Sequence, residues 1–293
     1  MKKPKNLTAN RLRSHGSLLT HPFFLMAPYK AGSTMLFLYT KSICRLLNVS
    51  YVDYPQHIWE KGGDLKGEYY ANPLANEMLS EPLVYVGNRQ AIQTLSPFVQ
   101  TKMNCTLMIR DPRDCLVSMY YSFLQSHAVP KAHKTDSARG TISELNATKP
   151  HLLPDINDYV LQNAEWYKQL INEMFEFGKE AHNFSVIRYE DFIYEKAKLC
   201  NYLYAQLRQL YINNHTSDLT LRVKKALSCI PTILHPLAIR IIAKKEDKIP
   251  LKENTRVHVR KAVPGDHLDK LKSDTIQRLD KIYSDILGGW YCF

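Results

Sequence analysis

Phe23-Phe24-Leu25-Met26-Ala27-Pro28-Tyr29-Lys30-Ala31-Gly32-Ser33-Thr34 is the stretch of sequence that decides the fold. Its apolar start predicts a buried strand, and residues 33–47 repeat apolar side chains with the period of a helix. The turn between them places free backbone N–H groups and the positive end of the helix dipole at one point, which is an anion site. An ordinary turn capped by Ser33 would use the same glycine and hydroxyls but would not explain Lys30.

Short apolar runs alternate with helical stretches along the rest of the chain, which predicts an α/β fold with a central, mainly parallel sheet flanked by helices. The further predicted strands are 49–52, 83–86, 106–109 and 185–187. The further predicted helices are 90–101, 112–126, 155–179, 191–210, 219–229 and 267–287. We expect an N-terminal extension over 1–20 and one domain over 21–293. Residues 126–154 have no clear period, so we interpret them as a candidate lid over a substrate.

The composition excludes disordered and collagen-like chains, since 45% of the 293 residues are hydrophobic and 23% are charged. The net charge of +11 favours an anionic partner such as nucleic acid, an acidic membrane surface or a phosphorylated small molecule. Lys and Arg are dispersed along the chain and form no nucleic-acid recognition motif, so a nucleic-acid partner is not expected.

The six cysteines show no CxxC pair and no His-spaced partner, which predicts buried, reduced thiols and no metal site. The most apolar later stretch, 230–242, is interrupted by Pro231, His235, Pro236 and Arg240, and it is shorter than the roughly 20 residues needed to span a bilayer. We therefore expect no transmembrane segment, and the N-terminal residues do not form a signal peptide.

A second motif, Arg110-Asp111-Pro112-Arg113-Asp114, follows the apolar run 105–109 and opens a helix that carries Ser118 eight positions after Arg110. A guanidinium offers a planar fork of donors to phosphate oxygens, and a hydroxyl two helical turns further on can add another. Two weaker motifs follow in the chain, namely Val186-Ile187-Arg188-Tyr189-Glu190-Asp191-Phe192 and His258-Val259-Arg260-Lys261-Ala262-Val263-Pro264-Gly265-Asp266-His267.

In this order and spacing the four motifs resemble those of the sulfotransferases that use 3′-phosphoadenosine 5′-phosphosulfate (PAPS) as co-substrate. The resemblance implies the P-loop nucleotide-kinase-like sulfotransferase fold, with Arg110 and Ser118 on the 3′-phosphate and Tyr189 on the adenine. It also implies that Arg260 and Lys261 wrap the 3′-phosphate. The residues implied to bind the 5′-phosphosulfate are Lys30, Ala31, Gly32, Ser33, Thr34 and Met35.

The implied reaction moves a sulfuryl group from PAPS to a hydroxyl or amine by in-line displacement and releases adenosine 3′,5′-bisphosphate (PAP). Lys30 would stabilise the charge on the leaving oxygen, and no metal is required. The acceptor is left open among carbohydrate, lipid and small molecule, and so is the oligomeric state. Because related enzymes of secretory compartments carry a membrane anchor, we expect a soluble cytoplasmic enzyme of the bacterial type.

A general base for the acceptor is less evident. Family members that act on small phenols and steroids carry a His where this chain has Asn88, and a Trp where it has Met35. The candidate replacements follow the second predicted strand: His57, whose ordinary pKa suits the role, and Glu60 or Asp53 if desolvated.

Two other functions stay open at this point. A nucleotide kinase would also need a phosphate loop, but the Walker A order GxxxxGK[ST] is absent because Lys30 precedes Gly32. A non-catalytic module that binds a bisphosphorylated nucleotide or a polyanion is compatible with Asn88 in place of the usual His.

Overall fold

The computed structural model describes residues 21–125, 154–212, 236–244 and 263–290. Several predictions lie outside these residues. They are the extension 1–20, the candidate lid except Pro154, the helix 219–229, and the phosphate ligands Arg260 and Lys261.

Five parallel strands form the central sheet, in the order β2-β3-β1-β4-β5. The strands are β1 (Phe23–Met26), β2 (Tyr51–Val52), β3 (Val84–Asn88), β4 (Asn104–Ile109) and β5 (Asn183–Arg188). Met26 at the end of β1 pairs with Asn88 of β3 on one side and with Leu107 of β4 on the other. Because the strands are parallel, their carboxyl ends lie along one edge of the sheet.

The helices of the described residues cover the sheet and connect its strands. Their bounds are α1 (Ser33–Leu47), α2 (Tyr54–Glu60), α3 (Ala75–Leu79), α4 (Pro97–Gln100), α5 (Pro112–Gln125), α6 (Ile156–Lys179), α7 (Glu190–Ile193), α8 (Lys196–Ile212), α9 (236–244), α10 (Asp266–Lys270), α11 (Ser273–Ile282) and α12 (Ser284–Trp290), with a π-helical turn at Lys66–Tyr70. The helix α1 packs against α8, whereas α6 packs against α5, α11 and β4. Every residue of β1 and β4 is buried, as expected for strands covered on both faces.

The structure confirms the predicted α/β fold and helix α1, and each predicted strand overlaps an observed one. The helix predicted over 90–101 is wrong, because only Pro97–Gln100 is helical. Ser96 caps this short helix, and Pro97 in its first turn cannot continue a helix from the residues before it. The preceding residues instead bond to the segment before β3, where Thr94 donates to the carbonyl oxygen of Asn72 at 2.5 Å.

Two further predicted helices are divided in the structure. The stretch 191–210 holds α7 and α8, and the stretch 267–287 holds parts of α10, α11 and α12. The cysteines of the described residues are buried free thiols, as expected: Cys44, Cys105, Cys115 and Cys200. Within the described ranges, no helix has the combination of length and apolar character that a bilayer crossing requires.

The close packing of α6 on β5 generates a stability prediction. A Cβ added to Gly178 would lie 2.6 Å from the Cδ2 atom of the Phe184 ring, so we expect Gly178→Ala to lower the free energy of unfolding by about 1–3 kcal/mol. The measurement is urea denaturation followed by circular dichroism. The matched control is Gly288→Ala in α12, where no heavy atom lies within 4 Å and the better helix propensity of Ala applies. Equal stability of the two variants would contradict the packing described.

Candidate active site

The loop between β1 and α1 has an unusual backbone. Lys30 has φ 67° and Gly32 has φ 92°, and the amide of Ala31 donates to the carbonyl oxygen of Pro28 at 3.1 Å. Gly32 is the N-cap of α1, and no side chain caps this helix. The first-turn amides of the 15-residue helix α1 are therefore left for a ligand, with the positive end of the helix dipole behind them.

Gly32 is required by its neighbours as well as by its φ. A Cβ at this position would lie 2.6 Å from Cδ2 of Tyr189 and 3.2 Å from Sδ of Met108. The Tyr189 ring thus supports the loop from below, and its side chain is only 4% exposed.

Arg110 follows β4 and lies beneath the same loop. Its Nη1 is 3.5 Å from the carbonyl oxygen of Lys30, and its Cζ lies 4.7 Å from the centroid of the Tyr189 ring. The side chain is buried, and its Nε has no hydrogen-bond partner among the residues described. A buried guanidinium nitrogen without a partner is costly, and a phosphate oxygen is the ligand that would satisfy it.

Asp114, one turn into α5, joins Arg110 to a distant part of the chain. Its Oδ2 is 3.5 Å from Nη2 of Arg110 and accepts a 2.7 Å hydrogen bond from the amide of Gly265. Its Oδ1 accepts from the amide of His267 at 3.0 Å and lies 2.7 Å from Nδ1 of the same residue. Burial alone would raise the pKa of Asp114, but the bonds to His267 and the charge of Arg110 lower it to about 2. The fully buried carboxylate is therefore ionised.

The opposite side of the loop faces the end of β3. A small cavity is lined by Ser33 and Phe37 of α1, by Gly87 and Asn88 of β3, and by apolar side chains of both strands. Asn88 is buried, and its Oδ1 accepts a 2.7 Å hydrogen bond from the hydroxyl of Tyr69. The Asn88 amide is thereby held in one orientation beside the loop, and it has no basic atom that could take a proton.

Asp53 precedes α2 and lies against Gly87. A Cβ added to Gly87 would lie 2.8 Å from Cγ of Asp53, and the φ of 81° at Gly87 also favours glycine. Asp53 caps α2 by accepting the Gln56 amide at 2.9 Å. Burial raises the pKa of Asp53, although the bond from Gln56 and the charge of Arg89 oppose the rise.

The two other candidate bases lie on α2. Glu60 is exposed and accepts a 2.8 Å hydrogen bond from Nε2 of Gln56. His57 is half-buried, and its Nε2 has no hydrogen-bond partner within the described part of the chain.

A family model described as the sulfotransferase domain matches residues 21–291, which is nearly the whole chain. The chain belongs to the sulfotransferase family. Members of this family transfer sulfuryl groups, so the chain is an enzyme of that class and PAPS is its expected co-substrate. No curated protein matches the sequence of this sulfotransferase.

Two solved structures with a similar fold also hold PAP. Mouse sulfotransferase SULT7A1 complexed with PAP is 14% identical, with a TM-score of 0.44, and the match covers 91% of this sulfotransferase and 84% of that chain. Retinol dehydratase in complex with androsterone and the inactive cofactor PAP is 13% identical, with a TM-score of 0.44, and the match covers 91% of this chain and 80% of that chain.

The structure brings most of the predicted donor-site residues of this sulfotransferase to one edge of the sheet. The phosphosulfate loop, Arg110 and Tyr189 contact one another. Ser118 is half-buried on α5, one helical turn beyond Asp114. No group of His, Cys, Asp or Glu in the described ranges could hold a metal ion.

Sequence reasoning missed the function of Asp114 and of Tyr69 in holding other site residues. Asp114 lies within a motif that the sequence analysis singled out, but nothing in that motif indicates Gly265 and His267 as its partners. Tyr69 belongs to a π-helical turn that no sequence pattern predicted.

Asp114→Asn tests the buried carboxylate. Since the pKa of Asp114 falls from 3.8 to about 2 on folding, we expect the variant to lose roughly 2 kcal/mol of unfolding free energy at neutral pH. A depressed folded pKa stabilises the protein above the unfolded pKa, and that contribution disappears as the pH falls towards the folded pKa. The difference between wild type and variant should therefore be constant from pH 7 to 5 and narrow below about pH 4.

Urea denaturation at several pH values measures this difference. Asp274→Asn at an exposed position of α11 is the matched control and should show no such dependence. A gap between wild type and Asp114→Asn that persists unchanged to pH 3 would argue against an ionised, hydrogen-bonded Asp114.

Proposed function

We propose that the loop from Lys30 to Met35 binds the 5′-phosphosulfate of PAPS and that Arg110 and Ser118 bind its 3′-phosphate. The observation that carries this proposal is the buried Arg110, whose Nε lacks a partner directly below a helix N-terminus that no side chain caps. Both features favour anionic oxygen ligands, and both lie at the carboxyl edge of a parallel sheet, where ligands of such folds bind.

Charge balance supports the same assignment. The phosphate and phosphosulfate groups of PAPS together carry roughly −4 at neutral pH. Lys30, Arg110 and the dipole of α1 supply part of the opposite charge. Arg260 and Lys261 remain proposed ligands of the 3′-phosphate, and the Asp114 carboxylate supports that segment by holding the amide of Gly265.

Tyr189 remains the proposed adenine contact. Its ring lies between Gly32 and Arg110, at the boundary between the two phosphate sites proposed here.

The proposed reaction forms a bond between the acceptor oxygen and the sulfur of PAPS and breaks the bond from that sulfur to the 5′-phosphate oxygen. PAP leaves with the electron pair of the broken bond, and the ammonium of Lys30 stabilises the negative charge on the leaving oxygen. The proton of the acceptor hydroxyl must pass to a base on the acceptor side of the loop.

Asp53 is the base that we propose. Its carboxylate lies against Gly87, and Gly87 and Asn88 line the same cavity as Ser33 of the phosphosulfate loop. Burial raises the pKa of Asp53, which makes its carboxylate a better proton acceptor than an exposed one. Glu60 is exposed and bonded to Gln56, and it has no comparable link to the loop.

A cytoplasmic location is also part of the proposal. It is supported by the free thiols Cys44, Cys105, Cys115 and Cys200, which are typical of a reducing compartment.

Calorimetric titration with PAP, adenosine 5′-monophosphate and ATP tests the donor site. We expect PAP to bind at least 100-fold more tightly than adenosine 5′-monophosphate and ATP, because only PAP offers a 3′-phosphate to Arg110. Arg110→Lys keeps the charge but loses the planar fork, and it should weaken PAP binding about 100-fold.

Arg45→Ala, at an exposed position of α1, is the matched control and should bind PAP as wild type does. Circular dichroism of each variant separates loss of binding from loss of folding. A folded protein with no preference for the 3′-phosphate would contradict the proposed donor site, and preference for ATP would favour a kinase.

Replacement of the proposed base gives a second prediction. Asp53→Asn retains a good helix N-cap but cannot take a proton, so we expect kcat to fall by about 100-fold or more while the affinity for PAP is unchanged. In wild type, kcat/KM should rise with pH through a pKa above the ordinary value of an aspartate. The measurement is the pH profile of sulfate transfer from labelled PAPS. Asp53→Asn should abolish that acid limb.

His57→Gln and Glu60→Gln serve as the rival variants. If either abolishes turnover and the acid limb while Asp53→Asn does not, the base is that residue and the assignment of Asp53 is wrong.

A further inference from the structure

An aromatic and cationic cluster surrounds Tyr29, the residue directly before Lys30. We call Tyr29, Arg89, Gln90 and Trp166 the Tyr29 surface. The Cζ atom of Arg89 lies 6.0 Å from the centroid of the Tyr29 ring, and the centroid of the Trp166 ring lies 6.2 Å from it. The amide nitrogen Nε2 of Gln90 donates to the Tyr29 hydroxyl at 2.9 Å.

The Tyr29 surface is held in place by a buried neighbour. The hydroxyl of Tyr167 donates to the carbonyl oxygen of Tyr29 at 2.6 Å, and Tyr167 is fully buried on α6. The loop, the end of β3 and α6 are thereby joined at one residue. A ligand on this surface would meet side chains that are already positioned, which lowers the entropy lost on binding.

The surface lies beside the groups proposed for the chemistry. Tyr29 precedes Lys30, and Arg89 and Gln90 directly follow Asn88, which lines the cavity next to the phosphosulfate loop. A molecule that contacts Tyr29 and Arg89 is therefore within reach of the transferred sulfuryl group. This placement suits an acceptor and not the nucleotide of the donor, whose phosphates are assigned to the other side of the loop.

Two properties of the surface indicate the chemistry of that acceptor. Trp166 is 46% exposed, so its indole offers a large aromatic area that remains open to solvent. The half-buried guanidinium of Arg89 forms no ion pair within the described residues, although its charge acts on Asp53. A partly desolvated cation without an anionic partner favours a carboxylate or sulfate ligand.

We propose that the Tyr29 surface binds an acidic saccharide as the acceptor of the sulfuryl group, an inference that rests on the proposed function. A pyranose ring has an apolar C–H face that packs on an aromatic ring and a rim of hydroxyls that hydrogen-bond to an amide such as that of Gln90. A carboxylate on the sugar pairs with Arg89. A phenol, sterol or acyl chain would instead need a site that buries about 70–90% of its surface, and the exposed Trp166 does not provide one.

The test uses the full-length protein loaded with PAP and four probes: a hyaluronan hexasaccharide, the neutral hexasaccharide of N-acetylglucosamine, 2-naphthol and dodecanol. Calorimetry should show that hyaluronan binds at least 10-fold more tightly than the neutral sugar. Labelled PAPS should transfer sulfate to a saccharide and not to naphthol or dodecanol.

Three variants locate the site. Trp166→Ala should weaken hyaluronan binding at least 10-fold, and Arg89→Gln should remove the preference for the acidic sugar. Phe98→Ala, at an aromatic residue that is 67% exposed on α4, is the matched control and should bind as wild type does. All three should retain wild-type affinity for PAP.

The outcomes distinguish this inference from the proposed function. Loss of specific PAP binding in the wild type would overturn the donor site, whereas tight PAP binding without saccharide binding would overturn the Tyr29 surface alone. Equal affinity for both sugars, an unchanged affinity in Trp166→Ala, or sulfate transfer to naphthol or dodecanol only would each overturn the acidic-saccharide acceptor.

Discussion

The buried carboxylate of Asp114 is the interaction on which the described part of the active site depends. It pairs with Arg110 and accepts hydrogen bonds from the amides of Gly265 and His267, which lie about 150 residues away in the chain. A fully buried carboxylate is unfavourable unless such partners surround it. Because one side chain satisfies both the arginine and the distant turn, folding of the C-terminal part and assembly of the anion site are coupled.

The parallel sheet determines where the other groups meet. The strand β1 lies between β3 and β4, and the connections from its neighbours leave in opposite directions, which opens a crevice at its carboxyl end. The phosphosulfate loop fills that crevice, with Arg110 on the β4 side and Asn88 on the β3 side. The donor and acceptor sides of the reaction thus follow from the strand order.

The sequence was sufficient for the parts of the molecule that local pattern determines. Strand β1, helix α1 and the motif at Arg110 have strong apolar periodicity or local turn chemistry, and the structure has the strands and helices predicted there. The helix predicted over 90–101 failed because hydrogen bonds to the segment before β3 override a weak helical pattern. The contacts of Asp53 with Gly87 and of Asp114 with Gly265 join segments far apart in the chain, and no single-sequence pattern encodes them.

The backbone of Lys30 has a consequence for how this enzyme can evolve. A left-handed conformation costs a side-chain-bearing residue about 1–2 kcal/mol relative to the ordinary helical one, and glycine largely avoids that cost. Selection for thermal resistance alone would therefore replace Lys30 by glycine. An ammonium group kept at a conformationally unfavourable position indicates that turnover, and not durability, has determined this residue, a trade-off that stabilised variants of the protein would have to respect.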